Sequence, residues 1–359
     1  MKNIFHKLRV SHIERQTKNA VAISFEVPET LAETFAYQSG QYLTIRHMIE
    51  GEDVRRNYSL CSSPLENTWQ VAVKKVQGGI FSTWANENLQ EGDYLEVMPP
   101  LGKFTIFPDP NKAKNYLAFA AGSGITPIVS ILKTVLATEP NSRFTLVYGN
   151  QSRTTIMFRE AIEALKSKYI DRLSIYHILS REKSDADLNF GRIDGAKCEL
   201  LLNKLIQIDR MDEIFLCGPQ QMSTEIKALL LQKGVDERII HLELFTAGKK
   251  AASKKDISIS LPDEQPKNKV TIILDGVSHQ FDLAYESDAI LDAALHEGIE
   301  LPFACKGGMC CTCKAKLLQG EVDMEVHYGL EPDEIEAGFI LTCQSHPKTP
   351  EVVVDFDAR

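Results

Sequence analysis

Cys305-Lys-Gly-Gly-Met-Cys310-Cys-Thr-Cys313 decides how this chain is read, and Cys343 answers it thirty residues further on. The spacing is C-x4-C-x2-C followed by C-x29-C, the plant-type pattern for a [2Fe–2S] cluster. Two irons need four thiolates; a tight loop supplies three and a returning segment the fourth. Gly307 and Gly308 are expected to let that loop curl and aim N–H groups at the cluster sulfurs. Zinc is the alternative for four cysteines, but zinc sites favour two separated C-x2-C knuckles. Cys305, Cys310, Cys313 and Cys343 are therefore the candidate metal ligands, and Cys61, Cys198, Cys217 and Cys311 remain as free thiols. The rest of the chain then has to explain where the electrons come from.

With 359 residues, two or three domains are expected, and an apolar content of 43% is ample for packed cores. No apolar run approaches a membrane span, and Met1-Lys-Asn-Ile lacks a signal-peptide layout, so a soluble, cytoplasmic protein without a membrane partner is expected. The net charge of −9 is unevenly placed: Lys269 to Arg359 hold 6 Lys/Arg against 17 Asp/Glu, whereas the first 268 residues hold 34 against 32. An acidic module on a near-neutral body suits docking onto a basic partner, although a merely well-solvated surface explains the charge equally well. No basic stripe is visible, which disfavours nucleic acid.

Residues 1–108 read as β. Val21-Ala-Ile-Ser-Phe-Glu-Val27, Tyr42-Leu-Thr-Ile-Arg46 and Trp69-Gln-Val-Ala-Val-Lys-Lys-Val76 alternate, with turn residues between them and one short helix near Ser82. Closely spaced strands with so little helix predict a small antiparallel barrel. From 112 to 246 the rhythm becomes strand, turn, helix: strands at 116–120, 144–148, 173–179, 213–217 and 239–244, helices at 128–138 and 155–168. That alternation predicts a parallel sheet with helices on both faces. Residues 247–268, opening Ala247-Gly-Lys-Lys-Ala-Ala-Ser-Lys-Lys, are small and basic, and predict a mobile linker. Residues 269–359 return to strands at 270–274 and 279–283, then a helix from Ser287 to Gly298 with Ile290, Leu291, Ala294 and Leu295 on one apolar face. The carboxylates from Glu331 to Glu336 read as a solvated acidic loop. The histidines, among them His6, His12, His47 and His177, form no ligand-like pattern.

Three further stretches carry chemistry. Arg56-Asn-Tyr58-Ser59 closes a strand, and Gly78-Gly79-Ile-Phe-Ser82 opens the short helix; a cation and a glycine-opened helix N-terminus suit a pyrophosphate. Gly122-Ser-Gly124-Ile-Thr126-Pro127 follows a buried strand and opens a helix, with Thr126 expected as its cap and Pro127 in its first turn. A Rossmann fingerprint would place glycine where Pro127 stands. Cys217-Gly218-Pro219 ends a strand at the carboxyl edge of the sheet, where ligands bind in such folds, although a lone cysteine is more often core.

Taken together, residues 1–245 resemble the ferredoxin–NADP reductase superfamily, and the whole length is similar to the reductase subunits of bacterial phenylacetyl-CoA epoxidases. The resemblance implies a flavin barrel, a nicotinamide domain and a β-grasp ferredoxin domain. It implies that Arg56 pairs with the flavin phosphate, Tyr58 packs on the ring, Ser59 bonds near the reactive nitrogen, and Gly79 and Ser82 take the pyrophosphate of FAD. The Gly122-x-Gly124-x-Thr126-Pro127 turn would hold the nicotinamide dinucleotide. Cys217 and Gly218 would face the nicotinamide, and Glu243 and Phe245 would close over the flavin. The second strand is followed by Arg153 and no carboxylate, and the third by Ser180-Arg181, a pair that resembles a binder of the extra phosphate; NADPH is expected, with NADH the alternative. Ser59, Cys217 and Glu243 are the candidate catalytic residues. The implied activity is NADPH oxidation through FAD and the cluster, delivering single electrons to a separate oxygenase component, di-iron by the nearest resemblance. Reductases of ring-hydroxylating dioxygenases or of the hybrid-cluster protein, an FMN variant, and a non-catalytic redox sensor share enough of the pattern to stay open.

Overall fold

The computed structural model describes residues 5–183, 186–245, 267–284 and 287–358. They divide into two compact units, one carrying the N-terminal sheet and the parallel sheet, the other the C-terminal module.

In the first unit, β1 (His6–Thr17), β2 (Ala20–Glu26), β3 (Tyr42–Ile49), β4 (Glu52–Ser59), β5 (Trp69–Lys74) and β6 (Tyr94–Val97) form a sheet ordered β4-β3-β6-β1-β2-β5. Leu60, one residue past β4, bridges Val71 of β5, so the first and last strands meet and the sheet closes into a barrel. Its interior is Leu8, Val10, Val21, Ile23, Leu43, Ile45, Val71 and Val73, all essentially inaccessible. The pairs two apart within each strand show why the alternation in the sequence is legible: period-2 side chains fill one side of a pleated sheet. The short helix α1 (Ile80–Glu87) starts two residues earlier than the sequence predicts, which brings Ser82 into its first turn.

Five strands follow: β7 (Asn115–Ala121), β8 (Arg143–Asn150), β9 (Leu173–Leu179), β10 (Glu213–Gly218) and β11 (Ile240–Leu244), all parallel, in the order β11-β10-β7-β8-β9. The helices are α2 (Ile125–Thr138), α3 (Arg159–Lys168), α4 (Gly195–Lys204) and α5 (Gln220–Gln232). The chain runs outward one way from β7 through β9 and the other way through β10 and β11. Between β7 and β10 therefore lies the switch point, where crevices open at the strands' carboxyl ends.

Two further helix starts in this unit differ from the sequence reading. Helix α2 begins at Ile125 with Gly124 as its N-cap, so Thr126 lies inside the helix; its hydroxyl donates to the Ser123 carbonyl (3.0 Å) and caps no N–H. Helix α3 begins at Arg159, because a 3₁₀ turn at Arg153–Thr155 and the left-handed Phe158 (φ 56°) interrupt the expected helix.

The second unit has β12 (Lys267–Leu274), β13 (Val277–Ala284), β14 (Lys314–Gln319), β15 (Val322–Met324), β16 (Phe339–Leu341), β17 (Ser345–Pro347) and β18 (Glu351–Asp355). A mixed sheet runs β13-β12-β18-β14-β16, with β12 and β18 parallel, and β15 pairs β17 separately. Helix α6 (Ile290–His296) buries Ile290, Leu291 and Ala294 with Val270, Ile272, Val352 and Val354. It starts after Ala289; Ser287 instead donates its hydroxyl to the Ala284 carbonyl (2.6 Å). The stretch expected as an acidic loop is ordered as α7 (Pro332–Glu336), opened by a reciprocal cap between Glu331 and Glu334. Glu334 is buried, unlike a solvated carboxylate, and accepts from Lys314 Nζ at 2.8 Å. The expected linker lies outside the described residues, except that its last two, Lys267 and Asn268, belong to β12. Among the described residues, no helix is long and apolar enough to cross a membrane.

Candidate active site and metal centre

The barrel contributes Arg56, Tyr58 and Ser59 from the end of β4. Arg56 is exposed and donates to the Arg55 carbonyl (2.7 Å). Tyr58 is half-buried against Phe81 of α1, with ring centroids 5.4 Å apart. Gly79 caps α1 where a methyl would stand 2.5 Å from both Val76 Cγ2 and Ser82 Oγ, so any larger residue would have to displace those side chains. Ser82 Oγ accepts from Val76 N–H (3.2 Å) and donates to the Gly79 carbonyl (3.3 Å), tying turn to helix. No side chain caps the start of α1, and the first backbone N–H groups of a helix, without intrahelical partners, are the donors a phosphate uses.

At the switch point, Gly122 follows β7 with φ +55°, and Gly124 packs so closely that a methyl there would lie 2.1 Å from the Cys217 carbonyl oxygen. Pro127 and Thr126 are buried in the first turn of α2. Gly218 leaves room for Met222 Cε, which a methyl would meet at 2.6 Å. These glycines draw β7, β10 and the head of α2 together, leaving backbone where side chains would otherwise fill the crevice.

Two sheet residues and one barrel residue then meet at a single carboxyl. Ser59 Oγ donates to Glu243 Oε2 at 3.3 Å, and the Cys217 thiol donates to the same oxygen at 3.9 Å. Cys217 and Glu243 are register partners across β10 and β11, which is why they arrive side by side. Burial pushes the Glu243 carboxyl up to about 8, against the hydrogen bonds from Ser59 and Cys217, which lower it. Burial, and then the neighbouring Glu243, raises the Cys217 thiol well above its ordinary value. These shifts favour the protonated forms of Glu243 and Cys217 near neutral pH. Phe245 packs against the core cluster that contains Cys217.

Arg153, Ser180 and Arg181 also come together. The β8–β9 register ends at Asn150 and Leu179, and continues in two more backbone bonds: Ser180 N–H to the Asn150 carbonyl (2.9 Å) and Arg181 N–H to the Gln151 carbonyl (2.8 Å). The two loops therefore run side by side at the carboxyl edge. Arg181 is exposed, whereas Arg153 is already engaged, its Nε 3.2 Å from Glu182 Oε1.

In the C-terminal module, Cys310 and Cys305 Sγ stand 3.2 Å apart, and Cys313 lies within hydrogen-bonding reach of Cys343. The four thiols thus form two pairs. Two pairs suit two irons better than one zinc. The Gly307 N–H donates to Cys305 Sγ (3.4 Å), and Met309 and Cys310 N–H groups lie behind it. The bond from Cys310, helped by those N–H groups and opposed by burial, draws the Cys305 thiol below its usual range. The donor set and its N–H cradle fit the cluster.

The glycine expectation needs one correction. A methyl on Gly307 would meet only the Cys305 carbonyl oxygen, at an ordinary 3.7 Å. Gly308 carries the constraint, with φ +70° and a methyl position 2.5 Å from the Val326 carbonyl.

Three further residues of the site have no signal in the sequence. Lys74, last in β5, brings its ammonium to the glycine turn: a methyl on Gly122 would stand 3.2 Å from Nζ. It makes no ion pair among the described residues, and burial lowers its pKa. An alternating strand lysine looks solvent-facing, so nothing in sequence marks it. Glu182 is unmarked because a ribose-binding carboxylate is expected after the second strand, and this one follows the third. Gly329 packs on the Cys310 backbone from nineteen residues away.

A flavin-type barrel, a parallel sheet with its glycine turn at the switch point, and a four-cysteine module define a modular NAD(P)H oxidoreductase. Family models match in the same order: an oxidoreductase FAD-binding domain over residues 7–106, an oxidoreductase NAD-binding domain over 119–228, and a 2Fe-2S iron-sulfur cluster binding domain over 272–348. One of the 1,2-phenylacetyl-CoA epoxidase subunits of Escherichia coli (strain K12) is 46% identical, across 99% of this chain and 98% of its own. The ferredoxin reductase component of 3-ketosteroid-9-alpha-monooxygenase from Rhodococcus rhodochrous is 33% identical, across 97% and 96%. Phthalate dioxygenase reductase, a modular structure for electron transfer from pyridine nucleotides to [2Fe-2S], shares the fold with a TM-score of 0.60 at 23% identity, covering 98% of both chains. The chain belongs to the family of FAD- and [2Fe–2S]-containing reductase components of oxygenase systems.

Proposed function

We infer that the chain oxidises NADPH and delivers the electrons one at a time to a separate oxygenase, the di-iron component of a phenylacetyl-CoA epoxidase. The convergence of Ser59, Cys217 and Glu243 on one carboxyl carries the chemical reading; the full-length similarity to the epoxidase protein supports the choice of acceptor. Bound FAD and the [2Fe–2S] cluster would supply the conversion of a hydride's electron pair into single electrons. The chain's own residues bind and orient. Arg56 and the α1 N-terminus, with Gly79 and Ser82, would hold the flavin phosphates, and Tyr58 would cover the ring. Gly122, Gly124, Thr126 and Pro127 would seat the dinucleotide, with Lys74 as an added cation; Cys217 and Gly218 would face the nicotinamide, and Glu243 and Phe245 would close over the flavin. Arg153, Ser180 and Arg181 would meet the 2′-phosphate. Cys305, Cys310, Cys313 and Cys343 would ligate the irons.

Anaerobic titration with NADPH, followed by visible and electron paramagnetic resonance spectra, tests the reading. Bleaching of flavin absorbance, followed by a rhombic signal from a reduced two-iron cluster, is expected. A protein that holds both groups yet stays oxidised under excess NADPH and NADH would refute it.

Glu243 makes a separate prediction. Its proton is held up to about 8, and above that a negative charge appears beside Cys217 and opposes the approach of a hydride, which is itself anionic in character. Nucleotide-to-ferricyanide turnover should therefore fall as pH rises through about 8. Glu243→Gln, neutral throughout, should flatten that limb; a limb persisting unchanged would assign the titration elsewhere. The sign for stability is the same. The unfolded chain releases this proton near the ordinary 4.5, so the contribution is complete below that and lost by about 8.

The ion pair between Arg153 and Glu182 is the one observation that favours NADH as a second reading.

A further inference from the structure

Glu182 spends both carboxylate oxygens on one residue. Oε1 stands 3.2 Å from Arg153 Nε, and Oε2 accepts the Arg153 backbone N–H at 2.8 Å. That N–H heads the Arg153–Thr155 turn, so the carboxylate fixes the turn and neutralises its guanidinium together. The side chains are 65% and 36% exposed, so ligand can reach them. Parallel backbone bonds place this pair beside Ser180 and Arg181 at the carboxyl edge of β8 and β9. Arg181 and Lys183 are the exposed cations next to it.

We propose that Glu182 sets the nucleotide preference, serving Arg153 as an internal counter-ion that the 2′-phosphate of NADPH has to displace. A 2′-phosphate carries close to two negative charges and is repelled by the carboxylate; the 2′-hydroxyl of NADH can donate to it. The pair itself contributes little to stability at such exposure. Its consequence is selective: it lowers the affinity for a phosphorylated ribose without touching the reacting end. The inference rests on the adenosine end of the nucleotide lying at this edge, as the proposed function has it.

Glu182→Gln in the full-length protein with its flavin and cluster tests it. Glutamine keeps an acceptor for the Arg153 N–H and removes the charge. The kcat/KM ratio of NADPH to NADH should rise by about tenfold, on the order of what one like charge near a phosphate costs at a protein surface, and chiefly through KM. Calorimetry gives a readout apart from turnover: 2′,5′-ADP should bind about tenfold more tightly and 5′-AMP should not. A ratio and a 2′,5′-ADP affinity within about twofold of wild type would overturn the proposal, as would equal changes for both ligands, the mark of a merely structural role. If the wild-type protein prefers NADH but the ratio moves as expected, the NADPH reading fails and the role of Glu182 stands. If the wild type prefers NADPH and the ratio is unmoved, the reverse holds.

Discussion

Replacing Cys310 by serine should leave nucleotide-driven reduction of ferricyanide in place while cutting reduction of cytochrome c, a one-electron protein acceptor, by at least about 100-fold. The thiol is nearly buried, 3.2 Å from Cys305 Sγ, in a loop whose N–H groups are spent on sulfur. A serine hydroxyl in that pocket neither ionises readily nor offers a soft donor, so iron on that side loses one of its two thiolates. The barrel and the parallel sheet have cores of their own, and the substitution touches neither. Cys311→Ser, one position along, is the control and should keep both activities. Undiminished cytochrome reduction by Cys310→Ser would mean that electrons leave by another route, and the relay would have to be abandoned. Loss of both activities in Cys310→Ser with the flavin still bound would point to misfolding across units, which circular dichroism can separate.

Much of this is legible without coordinates, and the reason is physical periodicity. Strands such as Val21–Val27 and Trp69–Lys74 alternate because one face fills the barrel, and β7 reads as continuous apolar sequence because it is buried on both faces. The four cysteines are legible because cluster ligation fixes spacing within a loop. Ser59, Cys217 and Glu243 come from resemblance, and the structure brings Ser59 and Cys217 each within hydrogen-bonding reach of Glu243; their catalytic roles are proposed, not inherited.

What the sequence does not show is whatever depends on contact between distant segments or on local backbone exceptions. Phe158 takes a left-handed conformation that no propensity anticipates, and it shortens α3 by four residues relative to the periodic reading. The carboxylate of Glu334 looks solvated in sequence because its burial and its partner Lys314 are a matter of folding. Lys74 and Glu182 are ordinary surface residues in any window of sequence. Only closure of the barrel against the sheet, and the side-by-side run of two loops, give each of them a neighbour that matters.

Gly329 is the sharpest case, and it predicts the second large effect. Gly329→Ala should abolish cluster incorporation or reduce it by about tenfold or more, while flavin content stays at the wild-type level. A methyl there would sit 2.6 Å from both the carbonyl carbon and oxygen of Cys310, and 3.1 Å from its nitrogen. Those are backbone atoms of a ligand residue, with no flexible side chain to swing aside. Gly329 also donates its N–H to the Gly308 carbonyl at 2.9 Å, so the segment cannot withdraw without releasing the ligand loop. Gly308 is itself held by φ +70° and by Val326. Overpacking of this kind costs about 1–3 kcal/mol when neighbours can yield, and more when they are main chain. The strain would fall on the loop that must present three thiolates within tenths of an ångström. Gly307→Ala supplies the contrast, since its methyl meets only an oxygen at 3.7 Å and should leave iron content near wild type. Iron and acid-labile sulfide assays on the two variants decide it: equal cluster occupancy in both would show that the 320–330 segment does not position the ligand loop.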